Sequence, residues 1–194
     1  MEEHREPSLG CSLMIHQWTG RKQAFRTGIS DSYLQVHSVV TVISHAVVED
    51  APAILGLQRL AYQSEARLYS DWTLPPLTQT LESLQDELAQ SIVLKAVIGE
   101  QLVGSVRAKA VGHVGQIGRL IVHPEHQGRG LGSELLGRIE VAIPDVSILE
   151  LFTGTRSESN IRLYQRLGYQ IFRTQELSAA VTIAYMRKFA LVDQ

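Results

Sequence analysis

The hydrophobic positions of this chain alternate between two periods, and each change of period marks an element. Residues 39–48, VVTVISHAVV, crowd β-branched side chains into a short run, which predicts a strand. Helical spacing follows at Ile54, Leu57, Leu60 and Ala61, behind Glu49, Asp50 and Pro52, which suit a helix start. SDWTLPP ends that helix, and LTQTLESLQDELAQ predicts a second one with Leu77, Leu81, Leu84 and Leu88 along one stripe. SIVLKAVIG and QLVGSVRAKAV then read as two strands joined through Gly99-Glu100 in a tight hairpin, and GQIGRLIVH as a third. SELLGRIEVAI predicts an amphipathic helix stopped by Pro144, and VSILELFTG a further strand. SESNIRLYQRLG predicts a helix capped by Ser157 and closed by Gly168, and YQIFRT and AVTIAYMRKFAL supply the last two strands. The order β, α, α, β, β, β, α, β, α, β, β predicts an α/β class, a mixed sheet with helices against it.

Residues 1–39 show little of this patterning. WTGRKQAFRTGISDSY is polar and carries two glycines, so residues 1–39 are expected to be an N-terminal extension ahead of a domain over 40–194. A chain of 194 residues is long enough for one sizeable core and such an appendage. A net charge of −2 provides no general attraction for nucleic acid or an anionic membrane, and neither is expected as a partner. Cys11 is the only cysteine, so no internal disulfide and no cysteine-based zinc site can form. MEEHREPSLG is acidic where a secretory signal is basic, and no apolar run approaches a membrane span. The expectation is a cytoplasmic protein.

The stretch HPEHQGRGLGSELL carries the chemistry. Glycines at Gly128, Gly130 and Gly132 open directly into a predicted helix. Such a turn exposes backbone N–H groups at the positive end of a helix dipole, the arrangement that binds phosphate. The glycines let an anion approach the backbone, and Arg129 adds a positive charge. A P-loop would need Lys and Ser or Thr after its last glycine, but Leu131, Gly132 and Ser133 supply no lysine. A dinucleotide fingerprint would place its third glycine at Ser133 and start directly after a strand, whereas HPEHQ intervenes. Glu150 lies at about the right distance to meet a ribose, and a nicotinamide enzyme is retained as the remote alternative.

LIVHPEHQGRGLGSELL resembles the acetyl-CoA loop of the GNAT superfamily of N-acetyltransferases. Val122 and Pro124 fill the family's V-x-P, and Gln127, Gly128, Arg129, Gly130, Leu131 and Gly132 fill its Q/R-x-x-G-x-G/A. SESNIRLYQRLGY resembles the family's late helix through Asn160, Tyr164 and Gly168-Tyr169. The resemblance spans roughly residues 39–191. It implies a mixed, mostly antiparallel central sheet with helices on both faces. It also implies acetyl-CoA as co-substrate, with pyrophosphate on the N–H groups from Gln127 to Ser133. The pantetheine arm would pair along Leu120, Ile121 and Val122 as an added strand does, with Asn160 hydrogen-bonding the arm. A strand N–H would stabilise the charge developing on the thioester oxygen, and the phenol of Tyr164 would protonate the departing thiolate.

The resemblance thus implies an N-acetyltransferase acting on a primary amine of a small molecule or peptide. No cysteine in the domain can carry an acetyl group, so transfer is expected by direct attack in a ternary complex. Many family members place a carboxylate in the strand before the loop. Here that strand offers Gln116 and Arg119 but no acid, leaving Glu65, Asp71 and Glu150 as base candidates and an inactive acyl-CoA sensor or scaffold as the alternative. Tyr62, Tyr69 and Trp72 lie where the family's acceptor pocket often forms. His123 and His126 are close, but no third ligand has a clear spacing, so no metal is expected. Family members often form homodimers; the sequence leaves the oligomeric state open.

Overall fold

The computed structural model describes residues 40–178 and 180–190. The expected N-terminal extension, 1–39, lies outside them. Among the described residues the strands are β1 (Thr41–His45), β2 (Ile92–Ile98), β3 (Gln101–Val111), β4 (Val114–Val122), β5 (Ile148–Gly154), β6 (Gln170–Glu176) and β7 (Thr182–Phe189). The helices are α1 (Ala51–Ala61), α2 (Gln63–Tyr69), α3 (Pro75–Thr78), α4 (Leu81–Gln90), α5 (Leu131–Ala142) and α6 (Glu158–Arg166). The strands form one seven-stranded sheet in the order β1-β2-β3-β4-β5-β7-β6. Every pairing is antiparallel except β4 with β5.

Helices cover both faces, because β2 is apolar on both sides. Leu94 and Ala96 pack into the main core with Leu135, Leu136 and Ile139 of α5. The intervening Val93 packs with Ile54 and Leu55 of α1 and Leu84 of α4. Gly104 of β3 lets α5 sit close, since a Cβ there would lie 2.8 Å from Leu135 Cδ1. Tyr169 anchors the far end of the core. Its ring is 1% exposed, and its hydroxyl donates to Glu140 of α5 (2.7 Å), which also accepts from Lys188 Nζ of β7 (2.6 Å).

The parallel pairing is short, and this opens the sheet. It covers Val114–Ile148, Gly115–Leu149 and Gln116–Glu150 and then stops. Beyond it β4 runs on to Val122 and β5 to Gly154 with a crevice between them. A β-bulge lies at the start of the crevice. The β3–β4 register shifts between Ser105–Ile121 and Arg107–Gly118, so Arg119 and Leu120 together oppose Val106. Arg119 has φ +51°, the left-handed conformation that a bulge accommodates and that a long side chain seldom adopts.

Three local expectations need correction. The first predicted helix is two, because the chain turns at Tyr62 into α2. Leu77 is not in the helix of Leu81, Leu84 and Leu88. It sits in α3, Gln79 is extended, and Thr80 starts α4 with its Oγ1 accepting from Ser83 N–H. Of the predicted stripe only Leu84 is buried. Ser157 occupies the N-cap position of α6, but its side chain does not cap the helix. Gly168 does close it, at φ +91°. Among the described residues, no helix is long and apolar enough to cross a membrane.

Candidate active site

The crevice between β4 and β5 is the floor of a cavity of about 490 Å³. Leu120, Ile121, Val122, Gln127, Asn160 and Tyr164, all singled out in the sequence, line it. The walls come from α1, α2 and the Leu74–Pro76 segment on one side and from β5 and β7 on the other. That segment is fastened from beneath by Gln58, which is 1% exposed and donates through Nε2 to Pro76 O and Gln79 Oε1, both at 2.9 Å.

The glycine loop leaves the end of β4 at the cavity's edge. Its first part is stitched to itself. His123 Nδ1 accepts from Glu125 N–H at 3.3 Å, and Gln127 Nε2 donates to Val122 O at 3.1 Å. Gln127 N–H donates to Pro124 O at 3.3 Å, so both the side chain and the N–H of Gln127 shape the loop. From Gly128 to Ser133 the backbone N–H groups have no acceptor among the described residues, and α5 has no side-chain cap. Gly128 and Gly130 have φ +73° and +86°, and Gly130 is the N-cap. Six consecutive donors thus stand without an acceptor among the described residues at the start of a twelve-residue helix. Gly132 has neither a positive φ nor a tight surrounding.

Tyr164 projects from α6 into the cavity and is 7% exposed. Its ring meets that of Tyr169 edge-on at 6.2 Å. Burial, and then the neighbouring Tyr62 and Glu65, push its phenol well above the ordinary range, so it holds its proton through neutral and mildly alkaline pH. Asn160, one turn earlier, donates through Nδ2 to Glu65 Oε1 and Thr153 Oγ1, each at 3.4 Å. Ser157 Oγ donates to Glu65 Oε2 at 2.5 Å. The first turn of α6 therefore holds a carboxylate of α2 on the cavity wall.

The three base candidates separate clearly. Glu65 lines the cavity. Asp71 is occupied by its own turn, accepting from Thr73 N–H (2.8 Å) and Oγ1 (2.6 Å). Glu150 faces a neighbouring cleft with Gln116 and Arg107, the latter paired with Glu87. Tyr62 and Tyr69 line the cavity; Trp72 does not, and is 57% exposed. His123 and His126 meet edge-on at 5.7 Å.

Gly154 shows how tightly one wall is built. A Cβ there would lie 2.6 Å from Tyr69 Cζ, and Tyr69 Oη accepts from Arg156 N–H at 2.8 Å. Gly154→Ala is therefore expected to expel the Tyr69 ring and lower stability by about 1–3 kcal/mol, the usual cost of overpacking. Thermal unfolding checks this, and an unchanged melting temperature would show that the wall is softer than its geometry implies. Sequence reasoning missed this contact because residues 69 and 154 meet only across the cavity. It missed the tie of Ser157 to Glu65 because a serine before a helix reads as a cap.

The sequence profile described as the acetyltransferase (GNAT) family matches residues 55–169. The fold is similar to several solved structures. One is a GNAT-family acetyltransferase from Streptococcus pneumoniae (22% identity, TM-score 0.63), covering 77% of this chain and 99% of that one. Another is the PaiA N-acetyltransferase from Thermoplasma acidophilum in complex with coenzyme A (16%, 0.64), covering 77% and 99%. A third is the ribosomal-protein-S18-alanine N-acetyltransferase from Escherichia coli (15%, 0.66), covering 80% and 97%. With the profile spanning the crevice, the glycine loop and α6, this chain belongs to the GNAT family of acetyltransferases.

Proposed function

We propose that the protein is an acetyl-CoA-dependent N-acetyltransferase that acts on a primary amine of a small molecule or peptide. The observation that carries this reading is the row of N–H groups from Gly128 to Ser133, without acceptors among the described residues, at the mouth of the opened sheet. The donor set fits a pyrophosphate: consecutive N–H groups, a helix N-terminus, and Arg129 in the same loop. When bound, acetyl-CoA supplies a thioester whose acetyl group passes to the amine.

The residues of the chain supply the rest. Leu120, Ile121 and Val122 offer a strand edge to the pantetheine arm, freed from β5 where the parallel pairing stops. Asn160 lies against that arm's path with its amide already directed by Glu65 and Thr153. The bulge at Arg119 and Leu120 breaks the ladder beside the cavity and releases backbone donors that can stabilise a developing oxyanion. Tyr164 keeps its phenolic proton, would give it to the departing sulfur as the C–S bond breaks, and would regain one from the amine nitrogen through solvent as the new C–N bond forms. Cys11 is the only cysteine and lies outside residues 40–194, to which we assign catalysis, so the amine attacks directly in a ternary complex. Residues 1–39 are assigned as an appended segment of a cytoplasmic enzyme.

Calorimetric titration with acetyl-CoA, and with NAD as control, tests the reading. The expected result is stoichiometric acetyl-CoA binding and none of NAD, followed by turnover with members of an amine panel. Binding of NAD in preference to acetyl-CoA would refute it. Acetyl-CoA binding with no turnover of any amine would move the protein to the alternative of an acyl-CoA sensor.

A further inference from the structure

The cavity wall carries two full charges among the described residues, one of each sign: Glu65 and Arg119. The remaining lining is largely apolar or aromatic, with Tyr62, Tyr69, Phe152, Tyr185, Leu177 and Val181 prominent. Among the described residues, the two charges form no ion pair with each other or with any other side chain. Each is nevertheless held in place. Glu65 receives one hydrogen bond on each oxygen, from Ser157 and from Asn160. A carboxylate has about four acceptor sites, so roughly two stay open toward a ligand. Arg119 lies over the Tyr62 ring, its guanidinium carbon 5.8 Å from the centroid. Its Nε is buried and has no hydrogen-bond partner among the described residues. Its neighbour Arg107 has a carboxylate partner in Glu87, and crowding by Arg119 adds to burial in bringing the Arg107 pKa down to about 10.

Two local rules are broken to make this arrangement. Ser157 stands at the N-cap of α6 but turns its hydroxyl to Glu65 instead of the helix. Arg119 takes a left-handed backbone conformation that glycine would adopt more cheaply. Both departures serve the charges of one cavity, and departures of this kind concentrate at functional sites.

We infer that the cavity selects an amine that also bears an anionic group, an α-amino acid with an apolar or aromatic side chain. Glu65 meets the ammonium, Arg119 meets the carboxylate, and the aromatic and aliphatic wall takes the side chain. The buried Nε of the half-buried Arg119 lacks a partner among the described residues, and a bound carboxylate would supply one. An uncharged or purely cationic amine would leave Arg119 uncompensated. This inference rests on the acceptor cavity of the proposed acetyltransferase but not on the assignment of the glycine loop.

The test compares three probes of nearly equal shape: L-phenylalanine, phenethylamine, which lacks the carboxylate, and 3-phenylpropionate, which lacks the amine. Binding is measured by calorimetry with and without coenzyme A. L-Phenylalanine is expected to bind roughly ten- to a hundredfold more tightly than either analogue, the worth of one lost hydrogen-bonded charge pair. Glu65→Gln should narrow the gap to 3-phenylpropionate, and Arg119→Gln the gap to phenethylamine. Equal binding of L-phenylalanine and phenethylamine by the wild-type protein would overturn the inference, without relying on any variant. So would the absence of binding by all three probes when coenzyme A is bound. Failure of coenzyme A itself to bind would refute the cofactor reading, while the three titrations without it still decide the amino-acid preference.

Discussion

Gly130→Glu is expected to reduce acetyl-CoA affinity by roughly a hundredfold or more while leaving the domain folded. Gly130 is the N-cap of α5, within the run Gly128 to Ser133 whose N–H groups have no acceptor among the described residues. A carboxylate placed there occupies the positive end of the helix that would otherwise receive phosphate. It removes hydrogen bonds to a charged group, worth about 1.5–3 kcal/mol each, and adds repulsion. Losing two such bonds is about 3 kcal/mol or more, hence the hundredfold estimate. The backbone angle, φ +86°, adds a strain of about 1–2 kcal/mol for any side chain with a Cβ. Gly130→Asn separates the two effects, because asparagine tolerates this conformation and carries no charge. The expected order of affinity is wild type, then Gly130→Asn, then Gly130→Glu, measured by calorimetry on proteins with matched circular dichroism. A folded Gly130→Glu protein with wild-type affinity would remove the loop from the cofactor site.

Tyr164→Phe is expected to lower kcat by about 10²–10⁴, the usual contribution of a positioned general acid. Acetyl-CoA affinity should change by less than about threefold, since the ring and its edge-on contact with Tyr169 persist. Stability should change little, because the Tyr164 hydroxyl makes no hydrogen bond among the described residues that the substitution would break. The pH profile adds a second criterion. Burial raises the phenol pKa, so the proton is retained below the ordinary phenol value of about 10 and is lost only above it. The limbs of the wild-type profile between about pH 6 and 9 therefore belong to other groups, and the variant should keep their shape at a lower height. Unchanged kcat would reduce Tyr164 to a packing residue of α6.

The glycine loop and the strand-helix order were legible in the sequence because both depend on local chemistry. Positive backbone angles at Gly128 and Gly130 favour a residue without a Cβ, and four of the α5 core contacts, Leu131, Leu135, Leu136 and Ile139, recur at helical spacing. Tyr164 and Asn160 share a helix face by the same arithmetic and do meet the same cavity. The break at Tyr62 was less visible, since α1 and α2 continue one another in propensity and only the tertiary packing turns the chain there. Trp72 looked like a wall residue from its place in the chain, but it faces outward.

Only the tertiary structure decided what the chemistry is built around. The choice among Glu65, Asp71 and Glu150 depends on which carboxylate faces the crevice, and strand period and helix period say nothing about which wall a residue reaches. Ser157 lies 92 residues from Glu65 and Arg156 lies 87 from Tyr69, so no local pattern records either contact. The shortness of the β4–β5 pairing is likewise invisible in the strands themselves, which are nine and seven residues long. Three paired positions hold them together, and the bulge at Arg119 breaks the regular register. The sequence by itself determined most of the elements, the fold class and the glycine turn, because these follow from periodicity and backbone sterics. The folded chain decided where the sheet opens and which charges meet inside it, because those depend on contacts between residues far apart along the chain.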